Sequence, residues 1–226
     1  MYSDQLNTSF VHGMSWFIFS EVMFFFAFFL ALGYVRIFAV PWLGGEGEKG
    51  ITNILWPGFE ASWPLMETPD NERFPGAHHN MSIPHISKIH TWLPFWNTLC
   101  LVTSSGTIAL AEAALKKDNR KAFKLWMVVT LTLGYIFVVL QSVEYYEAYA
   151  HMGLTLGAGI YGTTFFLMTG FHGFHVCLGA IILTIMTIRG FRGAFSEHDH
   201  FGLAAGSWYW HFVDVVLSLI HISEPT

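Results

Sequence analysis

The sequence predicts an all-α protein: a polytopic transmembrane helix bundle with five spans. Two observations carry this prediction. First, 53% of the 226 residues are hydrophobic, only 12% are charged and the mean hydropathy is +0.45, values too apolar for a water-soluble domain of this length. Second, apolar runs long enough to cross a hydrocarbon core of about 30 Å recur five times between polar breaks.

The first three spans are defined by how few ionisable residues they contain. The run over residues 16–35 holds only Glu21, the run over residues 92–115 holds only Glu112, and the run over residues 125–143 holds none. A side chain that carries charge is rare inside a membrane helix, so each run satisfies the composition expected of a span.

The last two spans need more interpretation. The fourth apolar stretch is too long for one upright helix, and its glycine-rich start, GLTLGAG, indicates an interfacial turn, so the helix is placed over residues 159–188. The fifth run contains His211 and Asp214. With flanking residues included, the predicted spans are residues 14–36, 92–115, 124–147, 159–188 and 203–222.

Residues 37–91 form the one long connection, which we predict to lie outside the membrane. This segment contains six of the eight prolines and the turn pairs GG, PG and NE, without an apolar period of 2 or 3.6. We interpret it as an irregular loop, so the chain forms a single transmembrane domain, residues 1–226. Its histidines match no metal-ligand spacing and are interpreted as solvated: His78, His79, His85 and His90.

The short loops set the expected orientation, because Lys and Arg remain preferentially on the cytoplasmic side. The second-to-third loop, LKKDNRKAFK, holds five basic residues, and the fourth-to-fifth loop holds Arg189 and Arg192. The third-to-fourth connection, EYYEAYAHMGL, has no Lys or Arg and carries three tyrosines, as expected of an outer aromatic belt. The N-terminus is therefore predicted to be cytoplasmic and the C-terminus to lie on the outer side.

Glu21 is the first candidate for function, because an intramembrane ionisable group is costly and is usually kept for a use. It lies about 10 Å from the inner end of its helix at 1.5 Å per residue. We expect it to be protonated, or partnered by a group from a neighbouring helix. A proton-linked or lipid-linked site and a neutral hydrogen-bonded strut between helices are equally compatible with its position.

The segment GFHGFHV places His172 and His175 three residues apart on one helical face. Haem or metal ligation is one interpretation, but bis-histidine ligation needs a facing histidine on another helix, and His211 is the only other membrane histidine of note. Interhelical hydrogen bonding is the interpretation we favour. Three glycines permit close approach of a neighbouring helix: Gly170, Gly173 and Gly179.

Two further groups of ionisable residues remain. Glu144 and Glu147 follow about 20 residues after the inner end of the third span, so we expect them among tyrosines at the outer interface, accessible to water. In WYWHFVDVV, His211 and Asp214 are at i and i+3, where the carboxylate can orient or charge-pair the imidazole. The predicted interhelical polar network consists of His172, His175, His211, Asp214 and Glu144, and no residue is predicted to bind a metal.

Five segments, in this order and spacing, resemble the subunit III family of the haem–copper cytochrome c oxidases: GMSWFIFSEVMFFFAFF, LPFWNT, LQSVEYYEA, YGTTFFLMTGFHGFHV and SWYWHFVDVV. The resemblance extends from about Gln5 to Val216. The longer outer loop and the element VPWLGG resemble bacterial rather than mitochondrial members, which implies a bacterial plasma membrane.

The resemblance implies a non-catalytic subunit of an aa3-type oxidase. Such a subunit binds no haem or copper and packs against subunit I, which carries the oxygen-reducing centre, with subunit II in the same complex and no nucleic acid. The implied role is to hold phospholipid and to sustain oxygen access, proton uptake and the stability of subunit I. Glu21 takes the position of the family's membrane glutamate, and Arg189 that of its lipid-headgroup arginine.

The two ends of the chain depart from the family's pattern. Members of this type usually have seven spans, and the five predicted here correspond to the last five. After WHFVDVV the family continues with aromatic residues, whereas this chain ends in LSLIHISEPT. We therefore expect the first two helices and the family's C-terminal end to be absent.

Two interpretations from other classes remain open. A membrane cytochrome would use His172, His175 or His211 as axial ligands. A proton-coupled transporter would use Glu21 and Asp214 at a midplane site, although such transporters commonly show internal repeats and broken helices, and no repeat is visible.

Overall fold

The computed structural model describes residues 4–78, 92–195 and 200–223. These residues form helices and irregular connections and no β-strand. Five of the helical segments are long and apolar enough to cross a membrane. The fold class expected from the sequence, an all-α bundle with five candidate spans, is confirmed.

Six α-helices follow one another along the described residues: α1 Asp4–Tyr34, α2 Val40–Leu43, α3 Leu93–Lys116, α4 Arg120–His151, α5 Gly159–Phe191 and α6 Phe201–Ser223. A π-helical turn, Val35–Ala39, joins α1 to α2, and a 3-10 helix, Gly50–Leu55, follows α2.

The first helical segment continues without a break from α1 through the π turn into α2. Pro41 lies in the first turn of α2 and cannot donate a backbone hydrogen bond to the preceding turn. A widened turn directly before a proline is a local adjustment that keeps the helix continuous. The combined segment from Asp4 to Leu43 is about 60 Å long at 1.5 Å per residue, longer than the hydrocarbon core of a bilayer.

The bundle packs with α6 in a central position and α1 at an edge. Helix α6 contacts α1, α3 and α5, and α4 lies between α3 and α5. The shared core contains fully buried residues from four helices, among them Leu101, Met127, Val176 and Trp210. Helix α1 packs against α5 and α6 and leaves most of its apolar side chains exposed, such as Trp16.

The bundle has two chemically different ends. At the end where α3 stops and α4 starts, Arg120 Nη1 donates to the carbonyl oxygen of Phe195 at 2.6 Å, and Lys124 Nζ lies 5.4 Å from the ring of Phe191. The lysines and arginines of both short loops therefore gather at this end, which we call the basic end.

The opposite end, which we call the loop end, carries the connection between α2 and α3. There a second apolar cluster joins Val40 of α2 and Phe59 of the loop to Ala148 and Tyr161. The backbone nitrogen of His78 donates to the carbonyl oxygen of Met152 at 2.9 Å. The other three loop histidines lie outside the described residues: His79, His85 and His90.

Candidate functional site

Two of the candidate residues, Glu21 and His175, meet between α1 and α5. Oε2 of Glu21 lies 2.8 Å from Nε2 of His175, although the residues are 154 positions apart in the sequence. The side chain of His175 is 9% exposed and that of Glu21 is 23% exposed. The imidazole therefore faces the bundle interior, and the carboxyl group reaches it from the edge helix.

The second nitrogen of His175 determines where the protons lie. Nδ1 is 2.5 Å from the carbonyl oxygen of Phe171, one helical turn earlier. A carbonyl oxygen only accepts, so Nδ1 carries a hydrogen. Nε2 then either accepts from a protonated Glu21 or, itself protonated, donates to the carboxylate. In both cases one proton is shared and the pair has no net charge, which greatly lowers the cost of a carboxyl group in lipid.

Aromatic rings enclose the imidazole of His175. The ring centroids of Phe25 and Phe174 lie 5.2 and 5.9 Å from that of His175, and Phe24 and Tyr209 lie at 6.3 and 6.4 Å. The hydroxyl group of Tyr209 donates to the carbonyl oxygen of His175 at 3.4 Å, which adds a contact from α6. The polar pair is thus embedded in an apolar shell contributed by three helices.

A second polar contact joins α3 to α4. Asn97 Nδ2 donates to Oε2 of Glu144 at 2.6 Å, and Glu144 is only 4% exposed. The expectation that Glu144 is accessible to water is wrong. Helix α4 continues for two turns beyond Glu144 to His151, and Glu144 faces the start of α3 rather than solvent. The sequence analysis does not identify Asn97, although it is the one amide side chain in the mainly apolar start of α3.

Trp210 fills a slot between three helices. Its Nε1 donates to Oγ of Ser104 on α3 at 2.8 Å, and the residue is 1% exposed. A Cβ atom added at Gly134 of α4 or at Gly179 of α5 would lie 2.9 Å from the indole. The two glycines therefore leave the space that the ring occupies. The sequence marks Gly179 as a place of close approach but does not reveal which side chain enters.

Hydroxyl groups make further bonds across the bundle. Among the described residues, four side-chain pairs of this kind connect neighbouring helices: Thr98 Oγ1 to His221 Nδ1 at 2.8 Å, Thr107 to Thr130 at 2.8 Å, Tyr135 to Thr184 at 3.0 Å, and Tyr145 to Thr169 at 2.6 Å. These residues were not predicted, because threonine and tyrosine occur in most spans and only their positions on facing helices distinguish them.

His172 does not form the interhelical hydrogen bond expected of it. The side chain is 1% exposed, and neither ring nitrogen bonds to any described residue. Its ring meets that of Phe137 on α4 edge to face at 5.9 Å. Residues three apart on a helix differ in direction by about 60°, so His172 faces α4 while His175 faces α1. Gly173 is likewise not a contact point, because nothing lies within 4 Å of a Cβ added there.

His211 and Asp214, at i and i+3 on α6, interact electrostatically but form no hydrogen bond or short ion pair. Within the described ranges the ion pairs are Arg120 with Asp118 and Glu21 with His175, and no hydrogen bond links His211 to Asp214. Oδ1 of Asp214 is buried and bonds to none of the described residues.

Arg189 lies at the basic end, in the last turn of α5. Its guanidinium group is 5.8 Å from the ring of Phe195, and the residue is exposed. A cation at a helix C-terminus is favoured by the helix dipole. Arg189 follows His175 by fourteen residues, about 21 Å along the helix. Glu21 and Arg189 therefore belong to different places in the bundle rather than to one site.

These observations define a class of protein. It is a polytopic membrane helix bundle whose polar side chains fasten one helix to the next. Among the residues that the structure describes, no group of three or more His, Cys, Asp or Glu side chains is placed to hold a metal ion.

Comparison with known proteins gives the family. The model of the family described as cytochrome c oxidase subunit III matches residues 76–224. The cytochrome c oxidase subunit 3 of Oryctolagus cuniculus is 36% identical over 214 residues, which are 94% of this chain and 67% of the relative. Those of Ceratotherium simum and Phoca vitulina are 35% and 36% identical over 212 residues, with the same coverage. The chain belongs to the cytochrome c oxidase subunit III family, as the sequence motifs indicated.

Proposed function

We propose that the chain is the non-catalytic subunit III of an aa3-type cytochrome c oxidase. In this role it packs on subunit I, with subunit II in the same complex, and the partner subunits hold the haem and copper. It supports electron transfer from cytochrome c to O₂ and the coupled proton translocation by sustaining the stability of subunit I, its access to lipid and oxygen, and proton uptake.

The pairing of Glu21 with His175 is the observation that carries this proposal. Both ring nitrogens of His175 already bond to protein groups, the carbonyl oxygen of Phe171 and the carboxyl group of Glu21. A haem ligand needs a free nitrogen, so His175 is suited to fastening helices rather than to binding a redox centre. The function that this geometry supports best is a structural one, in which the subunit acts through its packing.

The surface of α1 supports the lipid part of the proposal. Trp16 is 70% exposed and Leu30 57% exposed, and they lie on a helix that the other spans cover on one side only. Phospholipid acyl chains suit this apolar face. At the basic end, exposed Arg189 offers a guanidinium group for a lipid phosphate.

The charge distribution supports a location and an orientation. The basic end collects the lysines and arginines of both short loops. We propose that this end faces the cytoplasm in a bacterial plasma membrane, with the N-terminus on the cytoplasmic side and the C-terminus on the periplasmic side.

The proposal is tested by turnover. Oxidase purified with this chain and oxidase depleted of it by mild detergent are compared for initial oxygen consumption and for the number of turnovers before activity is lost. We expect similar initial rates and much earlier inactivation of the depleted enzyme, with recovery on adding the chain back. Identical lifetimes with and without the chain contradict the supporting role.

A further inference from the structure

The three most exposed large apolar side chains among the described residues do not belong to a membrane span. Ile51, Ile54 and Leu55 are 75%, 74% and 73% exposed, and all three lie on the 3-10 helix Gly50–Leu55. The candidate spans on either side end at Leu43 and begin at Leu93. The exposure of these three side chains is therefore not explained by a position on a lipid-facing transmembrane helix.

The polar side chains of the same 3-10 helix face the protein. Oγ1 of Thr52 donates to the carbonyl oxygen of Trp42 at 2.8 Å, and Nδ2 of Asn53 donates to that of Leu43 at 2.9 Å. A Cβ atom added at Gly50 would lie 2.4 Å from the carbonyl oxygen of Gly45, so the backbone is closely seated. The helix thus turns its polar side inward and its apolar side outward, the reverse of a turn that faces water.

The level of this helix along the bundle follows from its contacts. Val40 of α2 shares an apolar cluster with Ala148 near the end of α4 and Tyr161 near the start of α5. That cluster marks the height at which the spans end. The 3-10 helix is bonded to Trp42 and Leu43, about 3–5 Å further along the same axis. It therefore lies at the boundary of the membrane, beside α2.

The neighbouring side chains are those of a membrane interface. The ring of Trp42 lies 6.0 Å from that of Tyr34 and 5.8 Å from that of Phe38, and Nζ of Lys49 is 4.7 Å from the Trp42 ring. Aromatic and lysine side chains concentrate at the headgroup level of bilayers. The exposed apolar surface of the 3-10 helix thus follows the lipid-facing side of α1 and of the π-helical turn after it, which contains exposed Ile37.

We propose that Ile51, Ile54 and Leu55 form an interfacial anchor that inserts into the headgroup–acyl boundary of the lipid leaflet at the loop end. Aliphatic side chains on a short amphipathic segment suit insertion of about 5–10 Å into that boundary. Protein interfaces instead concentrate tryptophan, tyrosine and arginine at their centres, and leucine is under-represented among their energetic hot spots. The anchor ties the connection between α2 and α3 to the membrane surface.

Spin labelling measures this insertion directly. A nitroxide is attached at I54C, in the full chain with Cys100 and Cys177 replaced by alanine, purified with its accompanying subunits and reconstituted into phosphatidylcholine vesicles. The matched control is E48C, six residues earlier in the same exposed connection. Both sites are exposed, so the labels displace no core packing, and an unchanged thermal midpoint verifies this for each protein. Collision rates with O₂ and with a water-soluble nickel chelate are recorded at both sites.

If the anchor is inserted, the ratio of O₂ to nickel collision rates is several-fold higher at residue 54 than at residue 48. That ratio places the label at residue 54 below the level of the lipid phosphates. Equal ratios at the two sites place residue 54 in water and overturn the proposal. Low accessibility of residue 54 to both reagents also overturns it, because the side chain is then covered by a protein partner rather than by lipid.

Discussion

Nε2 of His175 on α5 lies 2.8 Å from Oε2 of Glu21 on α1. This contact links the edge helix of the bundle to an interior helix, and it holds one proton between two groups without net charge. The carboxyl group of Glu21, in the otherwise apolar or hydroxyl-bearing run over residues 16–35, is therefore accommodated by its partner on another helix. The same arrangement makes the attachment of α1 sensitive to what replaces either side chain.

Two replacements of Glu21 distinguish the contribution of its hydrogen bond to assembly from that of its charge. We expect Glu21→Gln to retain assembly, because the amide donates to Nε2 of His175 as a protonated acid does. Glu21→Leu leaves Nε2 without a partner and costs about 1–2 kcal/mol of bundle stability. The thermal unfolding midpoint of the purified protein measures both variants, and Met23→Leu on the exposed side of α1 is the control. Equal and complete loss of assembly in both Glu21 variants contradicts a hydrogen-bonded role.

Replacing Asn97 tests how much its hydrogen bond to Glu144 contributes to stability. Asn97→Leu removes the donor at 2.6 Å from Glu144 and leaves a buried carboxyl group unpartnered, so we expect a loss of about 1–3 kcal/mol. Leu99→Ala, two residues along α3 at a lipid-exposed position, is the control and leaves the midpoint nearly unchanged. A second replacement, Glu144→Leu, restores part of the loss in the Asn97→Leu background. If the Asn97→Leu protein is as stable as the unsubstituted protein, the conclusion that Asn97 stabilises the buried carboxyl group of Glu144 is contradicted.

Two glycines of α5 have opposite expected responses to alanine. Gly179→Ala places a methyl group 2.9 Å from the indole of Trp210 and costs about 1–3 kcal/mol through forced repacking. Gly173→Ala meets nothing within 4 Å and is neutral or stabilising by up to about 1 kcal/mol, because alanine favours the helix. Thermal midpoints and tryptophan fluorescence distinguish the two. A Gly173→Ala protein less stable than Gly179→Ala is incompatible with the Trp210 slot.

The orientation is accessible to cysteine labelling in intact cells. With Cys100 and Cys177 replaced by alanine, E48C at the loop end is expected to react with a membrane-impermeant maleimide, whereas K121C at the basic end reacts only after the cells are permeabilised. The ratio of labelling before and after permeabilisation is the readout. Labelling of K121C and protection of E48C in intact cells reverses the proposed topology.

The bundle and the family could be predicted from the sequence because both depend on local patterns. Apolar runs of sufficient length indicate helices wherever the partners lie, and motifs such as YGTTFFLMTGFHGFHV are contiguous. Which helices pair with each other could not be predicted in the same way. Glu21 and His175 were each singled out, yet the contact between them depends on how α1 and α5 cross, which no run of sequence encodes by itself.

The site residues that sequence reasoning misplaced show the same limit. Spacing of three residues grouped His172 with His175, but the 60° offset sends the first toward Phe137 and the second toward Glu21. Distance from the helix start predicted a position for Glu144 near the interface, but it could not show that the side chain points toward Asn97. Trp210 was visible only as one tryptophan among nine, because its slot is made by glycines on two other helices.

The haem content of the separated chain tests the central claim most directly. The tagged chain is purified with its partners, the partners are removed in a mild, non-denaturing detergent, and absorption spectra are recorded before and after separation. We predict that the complex shows a Soret band and haem a absorption. After separation, both absorption features are expected in the partner subunits, and neither is expected in this chain. A Soret band that remains with the isolated chain, or a purified chain with no haem-bearing partner, contradicts its assignment as a supporting oxidase subunit.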